Sequence, residues 1–151
     1  MPDYTGVPQM LIDTVQMFSA MDRSERIQTL IDLGTKFKPV PAEIATQPYP
    51  ESQRVPHCES EAFVFAEPLN DGSLKFHFDV LNPQGISAKA TAVILDRALS
   101  GAPLDQVIAV PADVIYDIFG RELSMGKNMG LTGMVNMCKA AAAQQRDRAA
   151  S

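Results

Sequence analysis

Residues 58–80, CESEAFVFAEPLNDGSLKFHFDV, decide how this chain folds. The second half alternates: Leu74, Phe76, Phe78 and Val80 fall on one face, and Lys75, His77 and Asp79 on the other. That is the period-two pattern of a strand with one buried side. The first half is rich in the aromatic and β-branched residues that favour strands. Between the halves stands Asp71-Gly72, a strong hairpin turn signal. The stretch is therefore expected to form two antiparallel strands, with "VLNPQG" after them as a third short strand or turn.

Outward from the hairpin, the chain reads as helix on both sides. Met10, Leu11, Val15 and Phe18 recur at helical spacing in "QMLIDTVQMFSAM". A second helix is expected in "DRSERIQTLIDLGTKF", capped by Asp22 or Ser24, with Ile27, Leu30 and Ile31 on one face and Gly34 near its end. Downstream come "ISAKATAVILDRALSG", "APLDQVIAV", "PADVIYDIF" and a long helix from about Lys127. Residues 38–56 carry Pro39, Pro41, Pro48, Pro50 and Pro56, a density that excludes a helix and describes an extended loop. The fold class is α+β: a small antiparallel sheet of about three strands packed against several helices. No repeat or linker divides the 151 residues, so one domain is expected, its helical start less firmly marked over 1–21 and its tail frayed over 147–151.

Composition bounds the function. Apolar residues make up 46% and charged residues 21%, ordinary for a globular protein. A net charge of −5 argues against nucleic-acid binding, which needs clustered Lys and Arg. No apolar run approaches the roughly 18 residues of a membrane span. The start, "MPDYTGVPQM", has neither a basic region nor an apolar core, so a cytoplasmic location is expected.

The two cysteines, Cys58 and Cys138, are too few for a disulfide scaffold. Cys138 belongs to a helical stripe with Leu131, Met134, Val135, Ala141 and Ala142, where a cysteine behaves as a small buried hydrophobe. Cys58 has no such stripe. It stands where the proline-rich loop meets a strand, a position open to solvent or a partner. Arg54 and His57 would favour a thiolate there, and Glu59 and Glu61 would oppose it. A cysteine that merely begins a strand fits the same position.

Two chemistries find little support. The soft metal ligands are His57, Cys58, His77 and Cys138, with no paired-cysteine or paired-histidine motif, so no bound metal or cofactor is expected. A Cys58–His77 hydrolase would need an orienting residue and an oxyanion loop, and neither is recognisable; His77 reads more simply as solvated.

"RVPHCESEAFVF" (54–65) resembles the reactive-cysteine segment of the SufE family, the sulfur acceptors of iron–sulfur cluster assembly, which reads Arg-Val-x-Gly-Cys-x-Ser before an apolar strand. Arg54, Val55, Cys58 and Ser60 keep that pattern. "IDLGTKF" (31–37) is similar to the family's second helix, and "LSMGKNMGLTGMV" (123–135) to its closing motif. Two positions depart: His57 replaces the family's glycine, which suggests a differently shaped loop, and Lys127 stands where an arginine is usual, losing the planar fork.

The resemblance implies a sulfur carrier that activates another enzyme and binds no cofactor of its own. Cys58 would take sulfur as a persulfide from a SufS-like, pyridoxal-phosphate cysteine desulfurase and pass it to a SufBCD-type scaffold complex. Arg54, His57, Ser60 and Lys127 would support it, and the proline-rich loop would serve as a movable arm. Self-association is compatible with the sequence. The alternative from another class is a non-catalytic interaction module that keeps the fold and binds a partner without sulfur transfer.

Overall fold

The computed structural model describes residues 3–121 and 123–150. Helices α1 (Gln9–Ser19) and α2 (Arg23–Thr35) precede strands β1 (Ala62–Pro68) and β2 (Leu74–Val80). Helices α3 (Ile86–Leu99), α4 (Leu104–Ile108), α5 (Val114–Phe119) and α6 (Met125–Ala150) follow. At the start of α2, Asp22 Oδ1 accepts from the Glu25 amide at 2.8 Å and Glu25 Oε1 from the Asp22 amide at 3.2 Å. This reciprocal box satisfies two amides that a helix start leaves orphaned, and it selects Asp22 over Ser24 as the cap.

β1 and β2 pair antiparallel, with Ala62 opposite Val80 and Pro68 opposite Leu74. Ala62, Val64, Phe76, Phe78 and Val80 point into the main core, where α3 packs on β2 and α6 on β1. Burying this face contributes to the fold's stability at about 25 cal/mol per Å² of apolar surface.

The sheet has two strands among the described residues, not three. "VLNPQG" does not extend it because Pro83 lacks a donor and Asn82 closes a turn, its Oδ1 accepting from the Gln84 amide at 2.9 Å. The proline-rich segment also differs from a free arm. It covers the sheet's outer face, where Val40, Ile44, Ala45 and Tyr49 pack on Phe63 and Phe65. The Val40 amide donates to Phe78 O at 2.8 Å, and the Tyr49 hydroxyl to buried Asp79 at 2.6 Å. His77, expected to be solvated, has a side chain only 12% exposed, with Nε2 2.9 Å from Glu67 Oε1.

Helix α6 starts two residues before Lys127 and stays helical through Ala150, past residue 147 where fraying was expected. Its run Ala140–Ala143 has high helix propensity, which favours continuation; Ser151 lies outside the described residues. No described helix is long and apolar enough to cross a membrane.

Candidate functional site

The backbone encloses Cys58 in a short loop before β1. The Val55 amide donates to Ala62 O at 2.8 Å, closing the loop, and the Glu61 amide returns to Cys58 O at 3.2 Å. Val55 is the loop's buried anchor; Pro56 and His57 are exposed, and Cys58 is half-buried. Two residues adopt the left-handed conformation, His57 at φ 56° and Glu61 at φ 53°. The loop therefore keeps a left-handed turn at the position where glycine would be expected, with a histidine in it. For an L-residue this conformation costs about 1–2 kcal/mol.

Three glycines of α6 form the loop's seat. Gly126, Gly130 and Gly133 stand at i, i+4 and i+7, one face of the helix. A Cβ on Gly130 would lie 3.1 Å from Cys58 Sγ, 3.2 Å from its Cα and 3.3 Å from its Cβ. One on Gly133 would meet Val55 Cγ1 at 2.8 Å, and one on Gly126 would meet Glu59 Oε1 at 3.3 Å. Close approach requires glycine at Gly130 and Gly133, where a side chain would lift the loop off the helix; at Gly126 the neighbour is only the far end of the Glu59 side chain.

The other wall comes from the segment after β2. The Leu81 and Asn82 amides donate to Glu61 O and Ser60 O, both at 3.2 Å. Gly85 lies so close that a Cβ there would meet Val80 Cγ1 at 2.8 Å and Ser60 Cβ at 3.0 Å. Between the walls lies a cleft of about 450 Å³, lined by Cys58, Glu59, Ser60, Ile86, Lys127 and Gly130 among others. It presents a thiol in a space that holds a cation and a hydroxyl, with one carboxylate at its edge.

Of the residues singled out from sequence, Cys58, Ser60 and Lys127 share this cleft; Arg54 and His57 do not line it. Arg54 bridges to Phe63, with its guanidinium 5.2 Å from the Phe63 ring centroid and Nε 3.5 Å from Glu51 Oε1, an ion pair without hydrogen-bond geometry. His57 faces a shallow surface beside Met129, Thr132 and Asn136 of α6. His77 borders a different groove and is paired with Glu67, so it forms no dyad with Cys58.

Cys138 is fully buried in the stripe expected for it. Burial pushes its thiol well above the ordinary range, with the nearby Asp96 charge adding to the effect. Cys58 touches Gly130, whereas Cys138 stands eight residues, about 12 Å, further along the same helix. Their Cα atoms are thus at least about 7 Å apart, beyond what a disulfide spans. Among the described residues no group of three or more His, Cys, Asp or Glu is arranged to hold a metal ion.

The glycine seat and the Asn82–Ile86 wall escaped the sequence reading. The signal was present as glycines at 126, 130 and 133 inside a helical pattern, which call for a packing reason.

No curated protein matches the sequence. Among solved structures, the chain is similar to a hypothetical protein from Thermus thermophilus, determined in solution. The TM-score is 0.76 at 24% identity, covering 93% of this chain and 98% of the other, which shows a shared fold. The family model "SufE: Fe-S metabolism associated domain" matches residues 12–142, nearly all of the chain and every wall of the Cys58 cleft. The chain belongs to the SufE family.

Proposed function

We propose that Cys58 is a sulfur acceptor: it takes a sulfane atom from the persulfide of a pyridoxal-phosphate cysteine desulfurase and yields it to an iron–sulfur scaffold complex. The observation that carries this reading is the contrast between the two thiols. Cys58 lines an open cleft beside Lys127, while Cys138 is sealed in the core. One accessible thiol with no second thiol in reach can hold a persulfide without discharging it internally.

The Cys58 thiolate attacks the outer sulfur of the donor's persulfide. A new S–S bond forms at Cys58, the donor's own S–S bond breaks, and its electron pair leaves with the donor thiolate. No external oxidant or reductant is needed. In the second transfer a scaffold thiolate attacks the outer sulfur on Cys58, which returns to a thiolate. The Lys127 ammonium and the Ser60 hydroxyl share the cleft in which both transfers take place. The loop's tight seat fixes where the sulfur stands; Arg54 acts through the loop's anchorage on Phe63.

Incubation with a purified desulfurase and cysteine, followed by intact mass and peptide mapping, tests this. One sulfur atom is expected on the Cys58 peptide. Desulfurase binding with no sulfur acquired, and a Cys58 inert to iodoacetamide, would establish the interaction module instead.

A further inference from the structure

The Cys58 cleft does not end at its own walls. It shares Ile31, Ile86, Ser87 and Lys127 with a second groove of about 590 Å³, which runs between α2 and Phe119, Arg121, Leu123 and Lys127. The groove exposes aliphatic surface: Ile27 is 48% exposed, Ile31 39% and Ile86 45%. Isoleucines at i and i+4 of a helix form a ridge, and here that ridge faces open space beside the thiol. Arg26, Arg121 and Lys127 lie along it. Arg26 donates to the carbonyl oxygens of Phe18, Asp117 and Ile118, at 3.2, 3.1 and 2.7 Å. Neutral carbonyls orient its guanidinium but leave the charge uncancelled. An apolar groove with a cationic rim thus stands out on a chain whose net charge is −5.

We infer that this groove is the docking surface for the desulfurase and receives an apolar segment of it flanked by carboxylates. The inference rests on the sulfur-acceptor reading. A donor that delivers sulfur to Cys58 must cover the cleft, and any surface that does so lies against the adjoining groove. Charge selects the occupant. A second copy packing through the same face would set Arg121 and Lys127 against their own counterparts, a like-charge arrangement that disfavours a symmetric dimer. An acidic rim on the donor meets no such penalty, and isoleucine burial supplies affinity independent of salt.

Ile27→Asp and Arg121→Glu test the inference, since both positions are exposed and lie outside the Cys58 cleft. Each variant is titrated against a purified cysteine desulfurase without substrate, then assayed for sulfur loading over a range of acceptor concentration. Both should weaken binding about tenfold or more and raise the acceptor KM in step. The kcat at saturating acceptor and the iodoacetamide rate of Cys58 should stay at wild-type values. Wild-type Kd and KM in both variants would overturn the docking assignment while leaving the sulfur-acceptor reading intact. A fall in kcat at unchanged KM, or loss of self-association in sedimentation with donor affinity preserved, would overturn it as well. If the wild-type chain binds the desulfurase but acquires no sulfur, the sulfur-acceptor reading fails instead.

Discussion

Replacing the glycines of α6 one at a time measures how the Cys58 loop is held. Alanine in a helix interior gains about 1 kcal/mol over glycine, so a glycine facing solvent gives stabilisation on substitution. At Gly130 the new methyl would lie 3.1–3.3 Å from three Cys58 atoms, two of them near or on the backbone, so the loop must shift by a few tenths of an ångström. Overpacking of this kind costs about 1–3 kcal/mol. Gly130→Ala should therefore be destabilised by between about zero and 2 kcal/mol, net of the helix gain. Gly126→Ala meets only the far end of the Glu59 side chain at 3.3 Å, which can swing away. Lying in the first turn of α6, where the interior propensity difference acts only in part, it should be stabilised by about 0.5 kcal/mol or less. Gly133→Ala meets buried Val55 at 2.8 Å and should be the most destabilised, by about 2 kcal/mol. Urea unfolding resolves these differences. The second readout is chemical: Gly130→Ala pushes Sγ away from the helix into the cleft, so iodoacetamide should react with Cys58 about threefold faster or more. Equal stabilisation of all three variants, with unchanged alkylation, would show that the loop does not rest on this face.

Three further outcomes follow from the same contacts. His57→Gly relieves about 1–2 kcal/mol of left-handed strain and loses about 0.4–1 kcal/mol to unfolded-chain entropy, so denaturation should show a net gain of about 0.5–1 kcal/mol. The Tyr49 hydroxyl is pushed up to about 12, first by desolvation and then by its hydrogen bond to Asp79. Because the unfolded tyrosine ionises first, near its ordinary value of 10, the stability it contributes is complete below that pH and lost as pH rises towards about 12. Tyr49→Phe should flatten that alkaline loss in thermal melts, while costing about 1–3 kcal/mol at neutral pH by leaving buried Asp79 Oδ2 without its donor, the Val80 amide still serving Oδ1. Cys138→Ser replaces a buried thiol with a hydroxyl that must be desolvated in the core, and should cost about 1–3 kcal/mol in urea unfolding, with sulfur loading of Cys58 unchanged.

The hairpin and the major helices were legible because each carries its own periodicity, and Cys138 because it falls in a helical stripe. Where the sheet ends was not: "VLNPQG" fitted a strand or a turn, and Pro83 with the Asn82 turn makes it a turn just where alternation ends. Nearness in sequence did not give the placement of Arg54 and His57: the bridge to Phe63 carries one to the outer sheet face, and the left-handed turn carries the other out of the cleft. The glycine seat was invisible to an apolar pattern because glycine contributes no side chain to it. What it supplies is space, and space becomes meaningful only when the loop it receives is known. Likewise, the prolines of residues 38–56 announced an extended segment but not its attachment through Val40 and Tyr49.

The most direct test of sulfur transfer is mass-spectrometric. The wild-type chain, Cys58→Ser and Cys138→Ala are each incubated with a cysteine desulfurase and cysteine, quenched by alkylation and mapped by peptide. Added sulfur is expected on Cys58 in the wild type and in Cys138→Ala, with none acquired by Cys58→Ser. Sulfur found on Cys138, or a Cys58 left bare after turnover by a desulfurase that binds the chain, would contradict it.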